Sequence, residues 1–272
     1  MNSPITWFGG KGLPKLKNRL LHFICKRPHK VYIEPFGGGA SILFAKKPSE
    51  LEVYNDINHA LYEFFTVLSD PELFDKFYRR VSVLPLSREL YSGCRETWKD
   101  EKDLVVRVSK WFVLARQSFG GTLGGWRYSV NQNKAPKCWM NCLEGLPQVH
   151  SRLQKVQIEC LDWSDIFEKY DSENALFYCD PPYVLATRSG QEAAYEYEMT
   201  EEDHKKFVSC LLNIKGQAVV SGYDHEIYED LVKVGWEKYK IDMKVTFPSE
   251  NKEREEIVWC TPVNKIENIA FF

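Results

Sequence analysis

Val31-Tyr32-Ile33-Glu34-Pro35-Phe36-Gly37-Gly38-Gly39-Ala40-Ser41-Ile42-Leu43-Phe44-Ala45 joins a short apolar run to a triple glycine and then to a helix-like run. Strand, glycine-rich turn and helix in that order make the first βα unit of a nucleotide-binding α/β sheet. The glycines permit tight turning and close approach of a ligand to the backbone. Their spacing is not G-x-G-x-x-G, so a pyrophosphate dinucleotide is not indicated. Residues 51–58 form a second short strand ending in Asn55 and Asp56. An acid about 20 residues beyond the glycines suits a ribose diol. A strand-ending Asn-Asp turn is the plainer account of the same residues. The spacing is what one βαβ unit requires, so the two signals support each other.

A second strand end stands at Leu176-Phe177-Tyr178-Cys179-Asp180-Pro181-Pro182-Tyr183. The apolar run reads as a short buried strand, ended by prolines that cannot donate to a sheet ladder. Asp180 precedes a proline and is biased to extended geometry. The strand end presents a carboxylate, carbonyls with no competing N–H at Pro181 or Pro182, and an aromatic face. Such a set accepts hydrogen bonds from a flat, amino-bearing group and stacks on it. Taken alone, it is also an ordinary proline-stiffened turn.

Residues 5–13 place Trp7, Gly9, Gly10 and Lys11 in a glycine turn with a cation, ahead of a helix expected over 13–25. Helical runs are expected over 60–85 and 104–118. After residue 150 the βα rhythm returns, with strands expected at 156–161 (ending at Asp162), 175–179 and 217–222. Residues 184–198 read as a polar loop, and Thr200-Glu201-Glu202-Asp203 as a capping-box helix start. A closing antiparallel pair, 236–245 with 256–260, is expected around a charged hairpin loop over 244–256.

Between Leu104 and Leu143 the chain carries Arg107, Lys110, Arg116, Arg127, Lys134 and Lys137 and no Asp or Glu. Trp111, Phe112, Phe119, Trp126, Tyr128 and Trp139 are interleaved, with Gln117, Asn131, Gln132 and Asn133. Cations among aromatics and amides suit phosphate neutralisation with base-edge contact. The plainer account is a solvated charged face over core aromatics.

A length of 272 residues allows one large α/β domain or two smaller ones. The net charge of −2 does not itself announce a nucleic-acid partner; the distribution does. No run of about 18 apolar residues suggests a membrane span. Met1-Asn2-Ser3-Pro4 lacks signal-peptide features, so a cytoplasmic protein is expected. The cysteines are scattered, and Cys138 and Cys142 are not a CxxC, so no metal site is expected.

In motif order over nearly its whole length, the chain resembles the Dam-type (D12 class, α-group) DNA adenine-N6 methyltransferases. Trp7-Phe-Gly-Gly-Lys11 resembles the N-terminal cofactor motif, and Tyr32-Ile-Glu-Pro-Phe-Gly-Gly-Gly-Ala40 the glycine turn. Asn55-Asp56-Ile-Asn58 resembles the acidic second-strand motif, Asp180-Pro-Pro-Tyr183 the catalytic D-P-P-Y, and Glu255-Glu-Ile-Val-Trp-Cys-Thr-Pro262 the last strand. The resemblance implies a Rossmann-like, seven-stranded S-adenosylmethionine-dependent methyltransferase sheet with an inserted, mainly helical DNA target recognition domain. Residues 1–70 and 150–272 would form the catalytic domain and 71–149 the insert.

By that resemblance the cofactor is contacted by Trp7, Lys11, Phe36, Gly37, Gly39, Asp56, Asp162 and Asp180. Asp180, Pro181 and Tyr183 are the catalytic residues, and Tyr183 stacks on an adenine flipped out of double-stranded DNA. Arg107, Arg116, Arg127, Asn131, Lys134 and Lys137 are the expected DNA contacts. No metal and no membrane are implied, and a monomer in a bacterial or phage-infected cell is expected. The segments Arg116-Gln-Ser-Phe-Gly-Gly and Trp126-Arg-Tyr-Ser depart from the recognition segment of GATC enzymes. They look more like phage and prophage relatives, so the resemblance carries methyl transfer but not GATC. The rival readings are a cytosine-N4 methyltransferase, which more often has Ser in place of Asp180, and a catalytically silent DNA-binding homologue. A C5-cytosine enzyme would need a Pro-Cys pair, and no cysteine here follows a proline.

Overall fold

The computed structural model describes residues 1–7, 9–130, 132–187, 197–247 and 250–263, with 243–247 and 250–254 described by backbone alone. Seven strands form one mixed sheet: β1 (Val31–Glu34), β2 (Leu51–Asn55), β3 (Gln157–Glu159), β4 (Ala175–Cys179), β5 (Gln217–Gly222), β6 (Glu237–Phe247) and β7 (Glu250–Cys260). Their order is β3-β2-β1-β4-β5-β7-β6. β4 pairs in parallel with β1 and β5, and β7 runs antiparallel to both β5 and β6.

By contact the chain falls into two compact units. One comprises Leu13–Phe36 and Trp163–Phe272. It holds α1 (Pro14–Cys25), α8 (Trp163–Tyr170), α9 (Glu201–Leu212) and α10 (Glu229–Lys233) with β1 and β4–β7. Phe167 stacks on Phe177 with centroids 4.3 Å apart, and Phe207 packs edge-on against Trp163. α9 begins with the expected capping box: Thr200 accepts from the Asp203 N–H, and Asp203 accepts from the Thr200 N–H.

The other unit comprises Met1–Gly12 and Gly37–Asp162. It holds β2, β3, α2 (Ser41–Ala45) and the helices α3 (His59–Ser69), α4 (Pro71–Val81), α5 (Arg88–Thr97), α6 (Leu104–Gln117) and α7 (Lys134–Leu153). The helical stretch expected over 60–85 is two helices, the second capped by Asp70 and opened by Pro71. Phe64, Trp111 and Phe112 form the aromatic core of this unit, with Phe112 also against Trp139. Three of the aromatics interleaved with the basic residues are therefore core: Trp111, Phe112 and Trp139 are buried.

The hairpin differs from expectation. The charged loop expected over 244–256 is mostly strand, because β6 and β7 stay in register from Glu237↔Cys260 out to Phe247↔Glu250. The ladder is made by backbone groups, so it tolerates charged side chains that read as loop in the sequence. Of the loop expected over 184–198, Leu185–Thr187 is a 3-10 turn, and residues 188–196 lie outside the described residues.

Candidate active site

β4 is buried at every position, and Asp180 is the first residue beyond it. The register of β4 with β5, Cys179↔Val220, brings Ser221 alongside Asp180. Ser221 Oγ donates to Asp180 Oδ1 at 2.9 Å, and the Tyr178 hydroxyl meets Ser221 Oγ at 3.2 Å. The Tyr183 hydroxyl lies 3.4 Å from Asp180 Oδ1 and makes a much shorter bond to Glu256 Oε1. Burial first, then the Asp180 and Glu256 carboxylates, hold the Tyr183 phenol well above its ordinary pKa, so its O–H stays a donor. Its ring meets Tyr223 edge-on, with centroids 4.5 Å apart. Pro181 is buried, and Phe36 packs edge-on against Phe207 at 5.6 Å. Sequence reasoning missed Ser221 and Glu256. The available signal was a polar residue at the edge of each of two apolar strand runs, Ser221 after Ala-Val-Val and Glu256 before Ile-Val-Trp-Cys.

The other unit carries the glycine turn and Asp56. Gly37 N–H donates to Asn55 O at 2.8 Å, and the Tyr54 hydroxyl donates to Gly38 O at 2.8 Å. A Cβ on Gly37 would fall 2.2 Å from the Tyr54 ring, and one on Gly39 would fall 3.1 Å from Trp7 Cβ. Gly38 has φ +49°, with the Trp7 ring beside it. The local demand for glycine here comes from the protein's own Tyr54 and Trp7. Trp7 in turn lies 5.8 Å from Trp111, ring to ring.

Asp56 is held by backbone: Oδ2 accepts from Gly38 N–H at 2.8 Å and Oδ1 from Asn58 N–H at 2.9 Å. Desolvation outweighs both bonds and raises its pKa to about 6. Each oxygen keeps a further lone pair for a hydroxyl donor. Lys11 is buried, and its Nζ donates to Gly9 O at 3.3 Å. The Asn55 side chain clasps Leu161 through both N–H and C=O, at 2.8 and 3.0 Å, and so fixes the chain just before Asp162, which is exposed.

The expected DNA contacts divide into two groups. Arg107 is engaged inside the unit: Nε and Nη2 bond the two Glu63 oxygens, at 2.9 and 2.5 Å, and Nη1 bonds Glu101 O at 2.7 Å. Lys110 pairs with Glu101 at 2.8 Å. The acid-free interval is thus partly neutralised by acids outside it, and Arg107 is a structural cation in this fold. Arg116 bonds Cys138 O at 3.3 Å and Thr6 Oγ1 at 3.4 Å. The Arg127 guanidinium lies 4.0 Å from Cys138 Sγ, and the Arg127 backbone N–H donates to Gln117 O at 2.7 Å, closing a small glycine hairpin. Lys134 and Lys137 are exposed at the start of α7, and Asn131 lies outside the described residues.

No group of three or more His, Cys, Asp or Glu among the described residues is arranged to hold a metal ion. No helix among them is long and apolar enough to cross a membrane.

The type II methyltransferase M.MjaIII of Methanocaldococcus jannaschii is 25% identical over 222 residues, spanning 73% of this chain and 75% of the relative. Residues 7–241 match the family of D12 class N6 adenine-specific DNA methyltransferases, a span that takes in every motif from Trp7 to Asp180-Pro-Pro-Tyr183. With that span matched, the chain belongs to the D12 class N6 adenine-specific DNA methyltransferases.

Proposed function

We propose that S-adenosylmethionine is the methyl donor and that Asp180-Pro-Pro-Tyr183 performs the transfer to N6 of an adenine flipped out of double-stranded DNA. The observation that carries this reading is the held Asp180 carboxylate. Ser221 fixes Oδ1 at the end of a fully buried strand, so the carboxylate has a set direction before substrate arrives.

The adenine amine is a poor nucleophile, because its lone pair is delocalised into the ring. Asp180 would accept one N6 hydrogen and the Pro181 carbonyl the other, localising that lone pair and countering the positive charge that grows on nitrogen. Acceptors aimed at developing charge accelerate the step rather than only bind. The cofactor, when bound, supplies an electrophilic methyl on a sulfonium. The N6 proton released as the amine takes up that methyl would pass towards Asp180. Tyr183 would stack on the flipped base, a contact worth about 1–3 kcal/mol.

The residues around the glycine turn fit an adenosyl group. Asp56 offers two anchored acceptor oxygens for a ribose diol. Trp7, Lys11, Phe36, Gly37, Gly39 and Asp162 are assigned to the same ligand. Residues 71–149 are assigned to target recognition, with Arg116, Arg127, Lys134 and Lys137 as its cations. A monomeric enzyme in a bacterial or phage-infected cytoplasm fits this reading. The relative's type II name favours a modification role beside a restriction enzyme.

Tritium transfer from labelled S-adenosylmethionine to adenine-containing DNA tests the assignment. Wild type should label the DNA, and Asp180→Ala should not, with its melting temperature unchanged. Unchanged turnover in Asp180→Ala would overturn the role given to Asp180.

A further inference from the structure

α5 is an element of the recognition segment that sequence reasoning did not find, and it buttresses the glycine hairpin. The Tyr91 hydroxyl donates to Leu123 O and Gly124 O, each at 3.1 Å, and Arg95 donates to Gly124 O at 3.2 Å. At the start of the same helix stands Arg88. Its guanidinium carbon lies 4.6 Å over the Trp126 ring and 5.6 Å from the Tyr128 ring centroid. Those two rings stack on each other, with centroids 5.8 Å apart and planes 13° from parallel. Arg88 is exposed, and among the described residues its side chain makes no hydrogen bond and no ion pair.

This arrangement is unlike the other arginines of the segment. Arg107 is spent on Glu63, and Arg116 on Thr6 and Cys138. Among the described residues Arg88 keeps every N–H donor, and a cation seated over an aromatic face is restrained without using any of them. A point charge would serve to neutralise a phosphate. A restrained guanidinium fork with its donors unspent matches a ligand that offers two coplanar acceptors in one direction. In a DNA duplex the base edge of that kind is O6 and N7 of guanine in the major groove.

We infer that Arg88, restrained over Trp126 and beside Tyr128, reads a guanine in the target sequence. The inference rests on the reading of residues 71–149 as the recognition segment.

The test is read-level mapping of methylated adenines in DNA from cells expressing wild type, Arg88→Lys or Trp126→Leu. Wild type should give one motif containing a guanine at a defined offset from the methylated adenine. Arg88→Lys keeps the charge but loses the planar fork. It should relax that one position by about tenfold or more while the other positions hold. Trp126→Leu should relax the same position more weakly, by freeing the guanidinium. An identical motif in all three proteins overturns the inference. So does a uniform loss across all sites, which in Arg88→Ala would come with a salt dependence shallower by about one ion, the mark of a phosphate contact. Failure of wild type to methylate any adenine would instead overturn the functional reading beneath it.

Discussion

The two strand ends to which we assign the chemistry hold their carboxylates in opposite ways. Asp56, past β2, is gripped by two backbone N–H groups, those of Gly38 and Asn58. Asp180, past β4, is gripped by side-chain hydroxyls, Ser221 at 2.9 Å and Tyr183 at 3.4 Å. Backbone donors belong to the turn itself, so Asp56 is part of what shapes the glycine loop as well as the acceptor we propose for the ribose. The hydroxyl donors come from the neighbouring strand and from the Asp-Pro-Pro-Tyr turn, so Asp180 is aimed by strand pairing. One carboxylate is held by its own turn, the other by side chains brought to it.

Asp180→Asn should separate the two most sharply. The amide keeps the shape but replaces one acceptor with a donor facing the substrate amine. Single-turnover methyl transfer should fall by about 10²–10³, with thermal stability little changed. A loss of only a few-fold would show that Asp180 is not aimed at the transition state.

Asp56→Ala should behave differently. It strips the acceptor from two backbone N–H groups, each costing about 1–3 kcal/mol if left buried. Melting temperature should drop together with cofactor affinity, and the rate at saturating cofactor should change less. A variant that loses affinity with no loss of stability would break the contrast between the two carboxylates.

The parts legible in the sequence were those where neighbouring residues settle the structure. The strand–glycine–helix order at 31–45 and the strand ending at Asp180-Pro-Pro-Tyr183 are of this kind. α5 and α7 were not legible. α5 buries only Tyr91 and Cys94, too few for a period to show, and α7 runs through Gly145 and Pro147. Ser221 and Glu256 were hidden for another reason. They meet Asp180-Pro-Pro-Tyr183 only through strand pairing across the chain, which no local pattern encodes. The acid-free interval misled in the same way: Arg107 finds Glu63, 44 residues upstream.

The hydroxyl grip on Asp180 can be graded by removing its parts. Ser221→Ala should lower the rate about tenfold, since a hydrogen bond to a charged group is worth roughly 1.5–3 kcal/mol. Tyr183→Ala should cost more than Tyr183→Phe, because it removes the stacking ring as well as the hydroxyl. Tyr183→Phe should not be silent, since it takes a donor from Glu256, and Glu256→Gln should match its effect. Equal losses for Tyr183→Ala and Tyr183→Phe would argue that the hydroxyl, not the ring, is what matters at this position.

The smallest effect expected is one of pH, and it is read at Asp56. Its pKa is raised from 3.8 to about 6, because burial penalises the charge more than Gly38 and Asn58 relieve it. Between roughly pH 4 and 6 the folded chain holds a proton that the unfolded chain has released, so this group's contribution to stability falls as pH rises through that window, by of order 1 kcal/mol per unit. Cofactor binding should run the other way. Ribose hydroxyls donate to the ionised carboxylate, so affinity should be level above about pH 7 and weaken below about pH 6, approaching tenfold per unit. Equilibrium binding of S-adenosylmethionine from pH 5 to 8 reads this directly. In Asp56→Asn the affinity should be weaker throughout and nearly independent of pH. A wild-type affinity that stays flat down to pH 5 would mean that the Asp56 carboxylate does not hold the ribose, and that the backbone grip on it serves the turn alone.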